Sequence, residues 1–167
     1  MKKLIFLDID GVLNSQLYAE KHHNKDNESD TSIKFPMSMI DPISVSFLNS
    51  LVENTGAEII ISSVWRFGRS IEELQNILEQ RGFIGKVIGK TRRIEDAVRG
   101  DEIRKFIEDN KELIGYESSS EYKDYVIFDD DSDMLLWQQY NFIHVDGYAG
   151  LSPHNCYKAK FILNGKY

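Results

Sequence analysis

The stretch Leu4-Ile5-Phe6-Leu7-Asp8-Ile9-Asp10-Gly11-Val12 decides how the rest of the chain is read. From Lys3 to Ile9 it has the length and apolar character of a buried strand, yet it carries two carboxylates one residue apart. Burying one carboxylate is costly, and burying two neighbours costs more unless a cation offsets them. Side chains alternate across a strand, so Asp8 and Asp10 leave it on the same side. The stretch is either a badly placed turn or part of a cation site.

Two more strands end in the same manner. Ala57–Ile61 runs into Ser62-Ser63, and Tyr125–Phe128 runs into Asp129-Asp130-Asp131-Ser132-Asp133. Lys86–Gly89 and Asn141–Val145 read as shorter strands. Between them lie helices with recognisable starts. Asp41-Pro42 supplies an N-cap and a first-turn proline, with Ile43, Phe47, Leu51 and Val52 as the apolar stripe up to Gly56. Ser70-Ile71-Glu72-Glu73 has the form of a capping box, and Ile71, Leu74, Ile77 and Leu78 carry that helix to Gly82. Asp101–Asn110 is helical through Ile103, Phe106 and Ile107, and a short helix runs through Met134, Leu135 and Leu136. Ser152-Pro153 opens a last helix with Tyr157, Phe161 and Ile162 expected inward. Asn14–Pro36 is a polar insert too hydrophilic for core, and Gly115–Tyr122 is a serine-rich surface loop. Alternating strands and helices predict an α/β fold, a doubly wound, mainly parallel, Rossmann-like sheet in one domain over residues 1–167. In such folds the ligand lies outside the carboxyl ends of the strands, which is where all three polar strand ends fall.

Composition narrows the function. The chain has 20 basic and 27 acidic residues, a formal charge of −7, which argues against broad non-specific nucleic-acid affinity but leaves room for a local basic groove. The single cysteine, Cys156, forms no internal disulfide and points to a reducing, cytoplasmic setting; no nucleophile signature surrounds it. Asp8 interrupts the N-terminal apolar run too early for a signal peptide, and no stretch approaches the roughly 20 apolar residues of a membrane span.

Carboxylates converging from separate strand ends repel one another unless neutralised, and a hard divalent cation is their natural partner. Mg²⁺ takes one or two carboxylates and completes its shell with water and substrate phosphate. A spare carboxylate can serve as nucleophile or acid/base group, and hydroxyls, backbone N–H groups and a nearby cation can hold phosphoryl oxygens. The pattern is that of metal-assisted phosphoryl transfer.

In the order of its motifs the chain resembles the haloacid dehalogenase (HAD) superfamily of phosphatases. Phe6-Leu7-Asp8-Ile9-Asp10-Gly11-Val12-Leu13-Asn14, Ser62-Ser63-Val64-Trp65-Arg66, Arg99-Gly100-Asp101-Glu102-Ile103 and Asp129-Asp130-Asp131-Ser132-Asp133 are similar to the HAD domains found alone or fused in RNA-repair proteins. The phosphatase domain of polynucleotide kinase-phosphatase is a more distant likeness. The resemblance implies that Asp8 attacks phosphorus to form an aspartyl-phosphate. It implies that Asp10 protonates the leaving oxygen and later activates water, and that Ser62 binds the phosphoryl group. Mg²⁺ would be held by Asp8, by the backbone carbonyl of Asp10 and by one of the late pair, with Asp130 favoured. Asp129 would then stand behind it, oriented against the basic residue, and Asp133 would hold a metal-bound water. Arg99 fits the place of that basic residue ahead of Lys90, Arg92 and Arg93. Ser63, Arg66 and Gly11 are further candidates for substrate binding. The inserts leave room for at most a loop cap such as Asn14–Pro36.

These expectations make the chain a Mg²⁺-dependent phosphomonoester hydrolase whose favoured substrate is a polynucleotide 3′-phosphate, so an RNA or DNA end is the expected partner and a membrane is not. The alternatives are a phosphatase of a small phosphometabolite or nucleotide, and a non-catalytic phosphate- and metal-binding regulatory domain. Other patterns fail on detail. An EF-hand needs a further acidic position, a closing glutamate and a preceding helix. Gly89-Lys90-Thr91 lacks the glycine of a P-loop, because Ile84 stands there. A receiver-type phospho-acceptor domain needs its acidic pair after the first strand. His22-His23 has no matching ligands around it, and Trp65 is open to either packing or base stacking.

Overall fold

Runs such as Leu4-Ile5-Phe6-Leu7 and Val126-Ile127-Phe128 are apolar at every position, so a strand built from them must be covered on both faces, as parallel strands are. The computed structural model, which describes residues 1–22, 39–115 and 123–165, shows this arrangement. Its elements run β1 (Leu4–Leu7), α1 (Gln16–His22), α2 (Pro42–Thr55), β2 (Glu58–Ile61), α3 (Ile71–Glu79), β3 (Val87–Lys90), α4 (Arg99–Asp109), α5 (Lys111–Ile114), β4 (Tyr125–Asp129), β5 (Phe142–His144) and α6 (Pro153–Leu163). Single 3₁₀ turns lie at Val64–Arg66 and Leu136–Gln138. The five strands form one sheet in the order β3-β2-β1-β4-β5, and every pairing is parallel. It is the doubly wound α/β sheet expected from the sequence.

Two apolar layers flank the sheet. Ile5 and Leu7 of β1, Ile59 and Ile61 of β2, and Val126 and Phe128 of β4 share one cluster with α2, α3 and α6. Leu4, Phe6, Ile60, Tyr125 and Ile127 share the other with Ile103, Phe106 and Ile107 of α4 and Ile114 of α5. In that second layer Phe6 meets Phe106 and Tyr125 edge to face, each with ring centroids 5.7 Å apart. The chain winds outward from β1 to β3, then returns to lay β4 against the other side of β1. The winding reverses between β1 and β4, and there the loops leaving adjacent strands diverge and open a crevice.

Several helix faces differ from expectation. In α2 the buried residues are Ser44, Val45, Leu48, Leu51 and Val52, whereas Ile43 is 63% exposed and lies off the stripe. In α6 the buried residues are Ala159 and Leu163, with Cys156 and Ile162 packed beside them. Tyr157 and Phe161 stay outside and pack on each other, centroids 4.7 Å apart. α6 lies against α2, and the small side chain of Ala159 suits close approach better than an aromatic ring. The short helix expected at Met134–Leu136 is the 3₁₀ turn at Leu136–Gln138. Part of the polar insert is helical: α1 buries no residue, so it left no apolar periodicity to read. Residues 23–36 of that insert and 116–122 of the serine-rich loop lie outside the described residues. Among the described residues no helix is long and apolar enough to cross a membrane.

Phe6→Ala removes a fully buried ring and should destabilise the fold by about 3–5 kcal/mol. Phe161→Ala, on the outside of α6, should cost well under half of that. Urea unfolding midpoints of the two variants check the assignment of faces.

Candidate active site

β1 pairs with β4 so that Leu7 stands beside Phe128, and the next residues on the two chains are Asp8 and Asp129. The Asp8 N–H extends the ladder by one bond, donating to the Phe128 carbonyl at 3.0 Å. Ile9 returns to the apolar layer of Ile5 and Leu7, so the alternation sends Asp8 to the α4 side. Asp8 is 6% exposed, and its Oδ1 accepts the Ile9 N–H at 2.8 Å. The chain then turns sharply: the Ile9 carbonyl accepts N–H groups of Val12, Leu13 and Asn14, and Gly11 takes a left-handed φ of +69°. Asn14 closes the turn. Its Oδ1 accepts the Gly11 N–H at 2.9 Å, and its Nδ2 donates to Asp10 Oδ1 at 2.7 Å. Trp65 Nε1 donates to the same Asp10 oxygen at 2.9 Å, which leaves Asp10 Oδ2 without either donor.

Asp129 at the end of β4 is fully buried. Its Oδ1 accepts the Asp131 N–H at 3.0 Å, and its Oδ2 lies 3.4 Å from Arg99 Nε without a hydrogen bond among the described residues. Asp130 occupies a slot between two glycines. A Cβ on Gly11 would collide with the Asp130 carboxylate, and one on Gly147 would come within 2.7 Å of Asp130 Oδ2. His144 Nε2 donates to the Asp130 carbonyl at 2.7 Å. One carboxylate oxygen from each of Asp8, Asp129 and Asp130 lies within 4.8 Å of the others. Mutual proximity and burial show in their acidities. Burial pushes Asp8 up, opposed by the Ser63 hydroxyl and Arg99. Burial and then the Asp8 charge push Asp129 up to about 7, and burial raises Asp130 as well.

The β2 end supplies the third wall. Ser62 donates its N–H to the Leu7 carbonyl at 3.0 Å, and its buried hydroxyl has no partner among the described residues. Ser63 caps the following 3₁₀ turn. Arg66 was expected to meet substrate, but it is 3% exposed and its donors are engaged within the protein. Nε donates to the Thr91 carbonyl at 2.9 Å, NH1 to the Ser62 and Ser63 carbonyls, and NH2 to Glu102 Oε2 at 2.6 Å. Burying a guanidinium requires this saturation, so Arg66 is a brace between β2, β3 and α4. The four candidate basic residues separate clearly. Arg99 reaches the acidic cluster, Lys90 Nζ is held by the Arg66 and Arg69 carbonyls, and Arg92 and Arg93 are exposed. Asp133 is engaged away from the cluster: its Oδ2 accepts the Arg99 N–H at 3.0 Å and caps α4.

The donor set is entirely hard oxygen, with no cysteine or histidine side chain in the cluster. Such a set fits a hard divalent cation better than a thiophilic metal, and the unpartnered buried Asp129 Oδ2 is a place where one would offset charge. Beside it stand a cation, Arg99, an unpartnered hydroxyl, Ser62, and a carboxylate held by one oxygen, Asp10. Asn14, Trp65, Glu102 and Gly147 also build the site. Only Asn14 left a local signal, as a polar residue closing the turn after Asp10-Gly11; the other contacts join residues of different elements, far apart in sequence.

Because Asp129 holds its proton more tightly folded than unfolded, its contribution to the stability of metal-free protein should fall as pH rises from 3.8 towards about 7. In chelator-treated protein the difference in melting temperature between Asp129→Asn and wild type should shift in the variant's favour over that range. Mg²⁺ added above pH 7 should narrow it. Glu102→Ala leaves the buried Arg66 guanidinium without its acid and should cost about 3–5 kcal/mol, read by urea unfolding.

A family model described as the HAD domain in Swiss Army Knife RNA repair proteins matches residues 4–156. Searches of curated proteins and of solved structures give no match. The matched span begins at β1 and ends inside α6, so it takes in every strand and the whole acidic crevice. The chain belongs to the HAD domain family of Swiss Army Knife RNA repair proteins.

Proposed function

We propose that the chain is a Mg²⁺-dependent phosphomonoester hydrolase that works through an aspartyl-phosphate on Asp8, with a polynucleotide 3′-phosphate as its substrate. One observation carries this more than any other: Asp8, Asp129 and Asp130 converge where the winding of the sheet reverses, with Arg99 beside them. Asp8 and Asp130, with the Asp10 backbone carbonyl, would hold the cation; when bound, it neutralises the cluster and the phosphoryl oxygens.

The chain's own groups account for the steps. An Asp8 carboxylate oxygen attacks phosphorus as the bond from phosphorus to the leaving oxygen breaks. Asp10 gives that oxygen a proton from Oδ2, because Oδ1 is held by Trp65 and Asn14. Asp10, now ionised, takes a proton from water as the water attacks the phosphorus of the aspartyl-phosphate. Inorganic phosphate leaves and Asp8 is regenerated. Arg99 and the Ser62 hydroxyl stabilise the phosphoryl oxygens, and the fully buried Asp129 orients Arg99. Family membership favours a polynucleotide end over a small phosphometabolite. Burial pushes the Cys156 thiol up to about 12, so it is not an activated nucleophile and has no role in these steps.

Hydrolysis of p-nitrophenyl phosphate should require Mg²⁺ and vanish in Asp8→Asn. Asp10→Asn should lower kcat by roughly 10²- to 10⁴-fold. A panel of 3′- and 5′-phosphorylated RNA and DNA oligonucleotides, nucleotides and sugar phosphates should rank the 3′-phosphorylated oligonucleotides first. Inactive wild type would sink the enzyme, and a preference for sugar phosphates would sink the substrate.

A further inference from the structure

The carboxyl edge of the sheet is electrically divided. On the β4–β5 side it carries Asp129, Asp130, Asp131 and Asp133, with Asp146 beyond β5. On the β2–β3 side, Val64–Ser70 holds Arg66 and Arg69 and no acid, and Lys90–Arg93 holds Lys90, Arg92 and Arg93 and no acid. Glu95 and Asp96 follow further along the second loop. Arg66 is buried and paired with Glu102, and Lys90 is held by two carbonyls, so Arg92 and Arg93 are the exposed cations of this strip; in a chain of net charge −7 they are a local feature rather than a bulk one.

The strip also contains an aromatic ring. Phe67 is 41% exposed, the buried Arg66 guanidinium lies 4.4 Å from its centroid, and the Arg93 guanidinium lies 5.7 Å from it. Arg92 and Arg93 are both exposed, and neither forms an ion pair among the described residues. Trp65, by contrast, is buried against Asp10 and offers no stacking face. Both guanidiniums lie over the ring, and the exposed Arg93 extends it outward as a planar stack; exposed arginines without acid partners beside a half-exposed ring supply what an extended single strand requires, cations for its phosphates and ring or guanidinium planes for its bases. A duplex keeps its bases stacked on each other and has no use for the ring.

We propose that Phe67, Arg92 and Arg93 form the track on which a single-stranded polynucleotide lies, its terminal phosphate at Asp8 and the preceding nucleotides running over the β2–β3 edge. The acidic β4–β5 side repels the strand and gives the track its direction. This rests on the phosphatase assignment for what happens at the terminus, but binding along the track does not require turnover.

The test uses a fluorescent single-stranded RNA 12-mer with a 3′-hydroxyl for anisotropy, and the 3′-phosphorylated 12-mer and p-nitrophenyl phosphate for kinetics. Phe67→Ala should weaken 12-mer binding roughly five- to hundred-fold, the loss of one stacked base. The Arg92→Gln/Arg93→Gln double variant should weaken it too, and should flatten the dependence of log affinity on log salt by about 1.4, two single-strand phosphate contacts. In both variants kcat/KM for the oligonucleotide should fall at least ten-fold more than kcat/KM for p-nitrophenyl phosphate, whereas Lys158→Gln on α6 should change neither. Wild type that fails to bind the 12-mer, or variants that bind it with unchanged affinity and salt slope, would overturn the track. The double variant changes only exposed side chains, so it decides the matter even if Phe67→Ala misfolds. Wild type that binds the 12-mer but hydrolyses nothing would leave the track standing and overturn the phosphatase.

Discussion

Like charge buried at one point governs this structure. Asp8 and Asp129 are almost completely removed from water, and the pairing of β1 with β4 places them side by side. Neither carboxylate can move away without breaking the register that holds the two central strands. The protein relieves the repulsion partly with Arg99 and partly because both carboxyls hold their protons more tightly than usual, and a bound cation would offset the rest. A site with uncompensated buried charge is suited to a divalent cation, the cofactor under the proposed function.

Around this point the chain builds a stiff frame from polar contacts rather than from more apolar packing. Arg66 joins the carbonyls at the ends of β2 and β3 to Glu102 on α4, one turn from Arg99. Asp133, from the loop after β4, caps the first N–H groups of α4, and Gln138 donates to the Gly100 carbonyl from the same side. The helix that aims Arg99 is thus held at its start by the loop that follows the acidic pair. Movement of either would shift cation and carboxylates together.

Much of this was legible from the chain alone because the informative residues are close in sequence. β-branched and aromatic runs mark central strands, and a carboxylate or serine directly after such a run must emerge at the sheet edge. Contacts that close over long separations left no such trace: Trp65 with Asp10, Arg66 with Glu102, Gly147 with Asp130. Arg66 misled because an arginine beside a serine pair reads as an anion contact, and only burial shows its donors to be engaged. Helix faces slipped where several apolar residues competed for one stripe, as in α2 and α6, and α1 could not be seen because it buries nothing.

The glycine slot around Asp130 has a bearing on how related chains should be compared. Gly11 lies in the acidic motif, but Gly147 sits in the loop after β5, which contributes no charged group to the cluster. A chain could keep every acid, the serine pair and the arginine, and a single methyl group at position 147 would still push the Asp130 carboxylate aside. Such a chain would look complete by its motifs while its acidic cluster was rearranged. Absence of bulk at a remote loop is therefore as much a part of this site's definition as the presence of its charges.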